Sequence, residues 1–262
     1  MRLNYTENKI VNSMCVGFCF LTYDNLERID IWNDFFKSVD KTRYKVYIHA
    51  KNPLMIINDY YDFPINVIKN PVQTRGKTDI TIVEATLKLL KDAFKENDDI
   101  THFIFLSQSC IPIYDFNKIY YFSKSANKSI LSSKENNQKN RYFQMGKEMA
   151  KNISYKNFTK QQPNMILIRD DVAKLTNNLL LHYFKNMTCP DEHYFINILL
   201  YIFHSDIIKQ QITFCNYDLN RTQGLLFSYI DEKFIKGLRN MGFLFMRKVN
   251  KNSMVDNNFL FM

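Results

Sequence analysis

His102–Phe103–Ile104–Phe105–Leu106, running straight into Ser107–Gln108–Ser109–Cys110–Ile111–Pro112, is the stretch whose reading decides the fold. A short apolar run closed by turn residues reads as a strand buried on both faces. Such strands belong to sheets covered by helices on both sides. The polar turn leaving the strand's carboxyl end then marks where ligands sit in an open α/β sheet.

Working outward, the residues before it alternate strand and helix signals. Ser13–Thr22, rich in Val, Phe, Cys and Leu, reads as another buried strand. Asp24–Asn25 can cap a helix over Leu26–Phe36, where Ile29, Trp32, Phe35 and Phe36 fall at helical spacing. Tyr44–His49 reads as a second strand ending in the turn Lys51–Asn52–Pro53. This opening is βαβ, which implies a parallel pair with a helical crossover. A strand-like piece follows at Ile65–Ile68, and Thr78–Asp79 can cap a helix over Ile80–Phe94 with Ile82, Ala85, Leu89 and Ala93 on one face.

Beyond the turn, the pattern predicts a helix over Asp115–Lys124, then a solvated loop with helix fragments through the Asn-, Ser- and Lys-rich residues 124–160. Met165–Ile168 reads as a strand, and Asp170–Asp171 can cap a helix over Val172–Phe184. Tyr194–Phe203 reads as a helix, Ile212–Tyr217 as a late strand and Glu232–Arg239 as a late helix, before the apolar-to-basic run Phe243–Lys248. The alternation argues for one α/β domain over residues 1–262, with a mostly parallel, Rossmann-like central sheet flanked by helices.

With 262 residues and 46% hydrophobic content, the chain can bury one sizeable core. A net charge of +9 points to anionic partners, but the lysines are spread along the chain, which argues against a nucleic-acid face. The five cysteines form no CxxC pair and no zinc-like cluster, a usage that suits a reducing compartment. The apolar run Val16–Leu21 falls far short of the roughly 18 residues a membrane span needs. No signal-peptide pattern opens the sequence, so the expected location is cytosolic in type.

Glycine-rich nucleotide loops, the G-x-S-x-G elbow and the H-E-x-x-H zinc motif are all missing, and six dispersed glycines cannot cradle a phosphate. Phosphate would have to be held by side chains. Nor is there an Asp-x-Asp pair for a divalent metal; the nearest variants are Asp98–Asp99, Asp170–Asp171 and Asp218–Leu219–Asn220. Arg247–Lys248 is the best candidate to neutralise a diphosphate leaving group, or it is an exposed basic pair beside a strand. In Cys189–Pro190–Asp191–Glu192–His193–Tyr194 two carboxylates open an apolar helix, which is either plain capping or the construction of a general base at Glu192. His193 is expected to pack, since helix neighbours point apart.

Taken in order, several motifs resemble one family. They are Phe20–Leu21–Thr22–Tyr23–Asp24–Asn25, Tyr47–Ile48–His49–Ala50–Lys51, Ile82–Val83–Glu84–Ala85, Phe103 to Pro112, Lys160–Gln161–Gln162, Arg169, Cys189 to Tyr194 and Leu244 to Lys248. Their order is similar to that of the core-2/I-branching β-1,6-N-acetylglucosaminyltransferases, nearest to plant-type and giant-virus-type members. The resemblance implies a GT-A-like glycosyltransferase domain that inverts the anomeric centre. It also implies a UDP-sugar donor carrying GlcNAc or a related sugar, a glycan acceptor and no metal cofactor.

By the same resemblance Glu192 is the catalytic base, and Lys248, Arg247, Thr22 and Tyr23 bind the donor. Ser107, Gln108, Ser109, Asp191, Lys160 and Gln161 face the sugars or the acceptor. The tryptophan-glycine usual before the central helix reads Arg75–Gly76, and the place of a further diphosphate-binding arginine falls near Leu225. Family members usually sit behind a Golgi anchor; this sequence shows none, so cytoplasm, the host's for a viral member, is expected. The alternative is a catalytically inactive carbohydrate- or nucleotide-sugar-binding protein on the same fold.

Overall fold

A computed structural model describes residues 14–76, 78–135, 139–177, 179–217, 224–256 and 260–261. In chain order the elements are β1 (Cys15–Thr22), α1 (Ile29–Phe36), β2 (Tyr44–Ala50), β3 (Asn66–Val67), α2 (Thr81–Glu96), β4 (Ile100–Ser107), β5 (Ile111–Pro112), α3 (Phe116–Ser125) and β6 (Ser129–Leu131). They continue with β7 (Lys134–Glu135), α4 (Lys139–Phe143), α5 (Lys147–Asn152), β8 (Thr159–Lys160), β9 (Met165–Ile168), α6 (Arg169–Thr176) and α7 (Tyr194–Tyr201). The last are β10 (Ile207–Lys209), β11 (Thr213–Cys215), β12 (Tyr229–Ile230), α8 (Glu232–Asn240), β13 (Phe245–Arg247) and β14 (Met254–Val255).

Seven strands form the central sheet in the order β10-β6-β9-β4-β1-β2-β3. All neighbours pair in parallel except β9, which runs antiparallel to both β4 and β6. The sheet is therefore mostly parallel and α/β, as the alternation predicts. β1 shows why it is covered on both sides. Val16, Phe18 and Phe20 pack with Trp32, Phe35 and Phe36 of α1, while Cys15 and Cys19 face the core shared with α2. Burying one such large side chain stabilises by about 1.5–3 kcal/mol. Gly17 lies on the α2 side, where an added Cβ would meet the Ile100 Cγ2 at 3.2 Å.

A smaller sheet, β11-β13-β5, docks against α8 through Ile111, Ile113, Ile235, Leu238 and Met246. It carries the end of β13 to the tip of β4, where the Val249 N–H donates to the Ser109 carbonyl at 2.9 Å.

Several local expectations are corrected. The first helix begins at Ile29 rather than Leu26, because Asn25 does not cap it: its amide donates to the Met55 carbonyl and its oxygen accepts from the Ile57 N–H. The helix expected over Val172–Phe184 is α6 followed by a separate 3₁₀ turn, Leu180–Phe184. Asp171, in the first turn of α6, is buried and accepts from Ser129 and Ser205 at 2.6 Å each. Residues 124–160 hold the expected helix fragments as α4 and α5, but they also supply three short strands that were not expected, β6, β7 and β8.

Candidate active site

A cavity of about 500 Å³ opens at the carboxyl edge of β1, β2 and β4. Thr22, Tyr23, Lys51, Ser107, Gln108, Ser109, Arg247 and Lys248 line it, together with His49, Thr74, Gly76 and Ile82. Gln108 fastens the rim. Its oxygen accepts the Tyr23 N–H at 2.6 Å, and its amide nitrogen donates to Glu27 at 3.1 Å. The Thr22 hydroxyl donates to the Asp24 carbonyl at 2.6 Å, and the exposed Tyr23 ring lies 5.8 Å from the Lys51 ammonium. His49 is wholly buried; its Nε2 accepts the Val72 N–H at 3.0 Å, which leaves the ring proton on Nδ1.

Glu192 closes a 3₁₀ turn, Pro190–Glu192, that opens α7. Cys189 before it takes φ of 53°, a left-handed conformation that costs a non-glycine residue and persists only where the surroundings enforce it. The enforcement comes from β8, from Gln161 just after it, and from the Thr78 carbonyl, which accepts the Cys189 N–H at 3.3 Å. The Gln161 N–H donates to the Glu192 carbonyl at 2.8 Å, and the Gln161 side-chain oxygen accepts the Ile196 N–H at 2.7 Å. That N–H lies in the first turn of α7 and has no partner within the helix. Asn197 completes the clamp by exchanging hydrogen bonds with the Thr159 N–H at 2.9 Å and carbonyl at 2.7 Å.

The Glu192 carboxylate is held on one oxygen. Arg141 donates to Oε2, and the Lys160 ammonium lies 3.2 Å from the same atom. Oε1 has no protein partner among the described residues. His193 is buried, stacks on Phe158 with ring centres 4.6 Å apart, and has Nδ1 3.0 Å from the Thr159 carbonyl. Burial, helped by the positive charge of Arg141, pulls its pKa down to about 4. The ring is thus neutral near pH 7, with the proton on Nδ1.

Asp191 behaves oppositely. Burial first, then the neighbouring Glu192 charge, pushes its carboxyl up to about 7, against the pull of its own N–H and of Arg247 and Arg141. Its Oδ1 and the Arg247 Nε are both buried without a hydrogen-bond partner, and Arg247 donates to Asn164 at 3.3 Å.

The expected residues therefore fall into two groups. Thr22, Tyr23, Ser107, Gln108, Ser109, Arg247 and Lys248 share the cavity, whereas Asp191, Glu192, Lys160 and Gln161 gather at the turn before α7. Glu192 is not among the cavity-lining residues. Asp191 feels the charge of Arg247, and Tyr217 feels both Arg247 and Glu192. Gln161 is buried with its side chain spent on the protein's own amides. Sequence reasoning missed Arg141, Asn164 and Asn197; only Asn197, a lone amide in an apolar helix, carried a signal. Among the described residues no three His, Cys, Asp or Glu side chains gather as a metal site would need. Asp218–Leu219–Asn220 lies outside the described residues.

The family model described as Core-2/I-Branching enzyme matches residues 16–256. The chain belongs to that family. Its mostly parallel sheet is the GT-A-like α/β architecture that membership implies. A curated relative, Glycosyltransferase BC10 of Oryza sativa subsp. japonica, is 26% identical over 133 residues, covering 48% of this chain and 32% of its own. The match thus spans about a third of that relative's length. Among solved structures, the WbbM bifunctional glycosyltransferase has a TM-score of 0.44 at 10% identity, over 94% of this chain and 47% of its own. The galactosyltransferase LgtC, solved with donor and acceptor sugar analogues, has 0.38 at 10% identity, over 70% of each chain. No helix among the described residues is long and apolar enough to cross a membrane.

Proposed function

We propose that the protein is an inverting glycosyltransferase that moves GlcNAc or a related sugar from a UDP-sugar to a hydroxyl of a glycan acceptor without a metal. The carrying observation is the cavity at the sheet's carboxyl edge, cationic at Arg247 and Lys248, with Asp191, the residue before Glu192, within the field of Arg247. In this reading Glu192 Oε1 takes the acceptor proton as the acceptor oxygen bonds to the anomeric carbon. The bond from that carbon to the diphosphate breaks, and Arg247 and Lys248 take up the charge released. A cationic pair supplies the electrostatic part of a metal's role without its coordination template. Five free cysteines fit a reducing, cytosolic-type location.

UDP release from candidate donors, followed in EDTA, tests the reading. Glu192→Gln is expected to lower transfer by about 10²–10⁴-fold, the usual worth of a general base, while still binding UDP. Full transfer by that variant would remove Glu192 from the role, and loss of wild-type transfer in EDTA would remove the metal-independent route. The two cations closing on Glu192 favour a second reading, a sugar- or nucleotide-binding protein without turnover. Sustained transfer by the wild type overturns it.

A further inference from the structure

Arg141 lies 51 residues from Glu192 in sequence and reaches it from α4, with its side chain largely buried. The same guanidinium nitrogen, Nη1, sits 3.3 Å from the His193 Nε2. The direction of that contact is fixed by the other end of the ring. A carbonyl only accepts, so the bond to Thr159 requires the proton on Nδ1 and leaves Nε2 as an acceptor. Arg141 therefore donates both to His193 and to Glu192, and the array runs from the Thr159 carbonyl through a neutral imidazole and a guanidinium to one carboxylate oxygen.

We propose that Arg141 is a positioning residue for the base: it holds Oε2 so that Oε1 alone is presented to the acceptor hydroxyl, and His193 aims the guanidinium. This rests on the reading of Glu192 as the base. The guanidinium suits the task because its planar fork can serve two acceptors in one fixed geometry, whereas an ammonium acts as a point charge. Lys160 reaches the same Oε2 at 3.2 Å and adds charge without setting the plane. Orientation of this kind carries a large part of a rate, since a misplacement of about 1 Å costs on the order of 10²-fold.

The test is steady-state transfer with the full chain, UDP-sugar donor and glycan acceptor. Arg141→Ala is expected to lower kcat about 10²-fold with the UDP Kd unchanged, and added guanidinium chloride at millimolar level to restore part of the loss. Arg141→Lys, which keeps the charge, is expected to remain impaired. In a Glu192→Gln background Arg141→Ala should cost nothing further in kcat, because two residues acting as a unit are not additive. A merely structural arginine would give additive losses, a lowered Tm and no rescue, and that pattern overturns the inference, as does unchanged or raised kcat in Arg141→Ala. If Glu192→Gln is itself fully active, the base reading falls and this inference with it; if Glu192→Gln is inactive while Arg141→Ala is not, this inference alone falls.

Discussion

Asp191 and His193 flank Glu192 and respond to pH in opposite senses. The folded state holds the Asp191 carboxyl near 7, above its ordinary 3.8, so it favours the protonated acid. Its contribution to stability is complete below pH 3.8 and is lost as pH rises through about 7. His193, depressed to about 4 from 6.5, contributes fully above 6.5 and loses that as pH falls through about 4. Between those limits the two slopes oppose each other. Asp191→Asn removes one of them, and its Tm relative to wild type is expected to rise between about pH 4 and pH 7. Thermal unfolding of both proteins across that range is the check; a constant difference would mean that Asp191 titrates as an ordinary surface acid.

At the scale of elements, the turn that carries Glu192 is only as rigid as its attachment to β8. Asn197 supplies two of the bonds to Thr159 and a third, at 2.6 Å, to the His193 carbonyl. Asn197→Ala leaves the buried Thr159 N–H unpaired, and the expected loss is about 2–3 kcal/mol of unfolding free energy, read from urea denaturation. A loss below about 0.5 kcal/mol would show that the turn is held without it.

The same elements show what a sequence makes legible. The βαβ opening was readable because its apolar runs cannot face water, and Tyr44–His49 differs from β2 by one residue. The start of α1 was not, because Asp24–Asn25 looks like a cap while Asn25 is bonded across to a loop about thirty residues away. Asp171, likewise cap-like, is buried against two serines distant in the chain. Carboxylates at a helix start announce chemistry or capping by local pattern alone, which is why Glu192 stood out. Arg141 did not, because nothing in a polar stretch tells which of its cations folds inward.

For the molecule as a whole, the reversed strand matters most. β9 runs against β4, so the segment entering it, Lys160 to Asn164, arrives at the edge where β1, β2 and β4 end. Its exit, at Ile168, lies at the opposite edge. There Arg169 donates to the carbonyls of Phe94 at 3.1 Å, Asn97 at 3.0 Å and Ile100 at 3.2 Å, and pairs with Asp98 at 2.6 Å. It ties off the end of α2 and the start of β4, far from the cavity. Arg169→Ala is expected to destabilise by about 2–3 kcal/mol and leave KM and the UDP Kd unaltered. A change in KM without loss of stability would contradict that division.

The antiparallel strand thus gives the molecule a cavity rim and a bracing rim. Asp99, exposed just ahead of β4, stands on the second. A tether or fluorophore attached there would hold the protein on a surface with its opening turned outward, ready for acceptors too large to enter a crowded face.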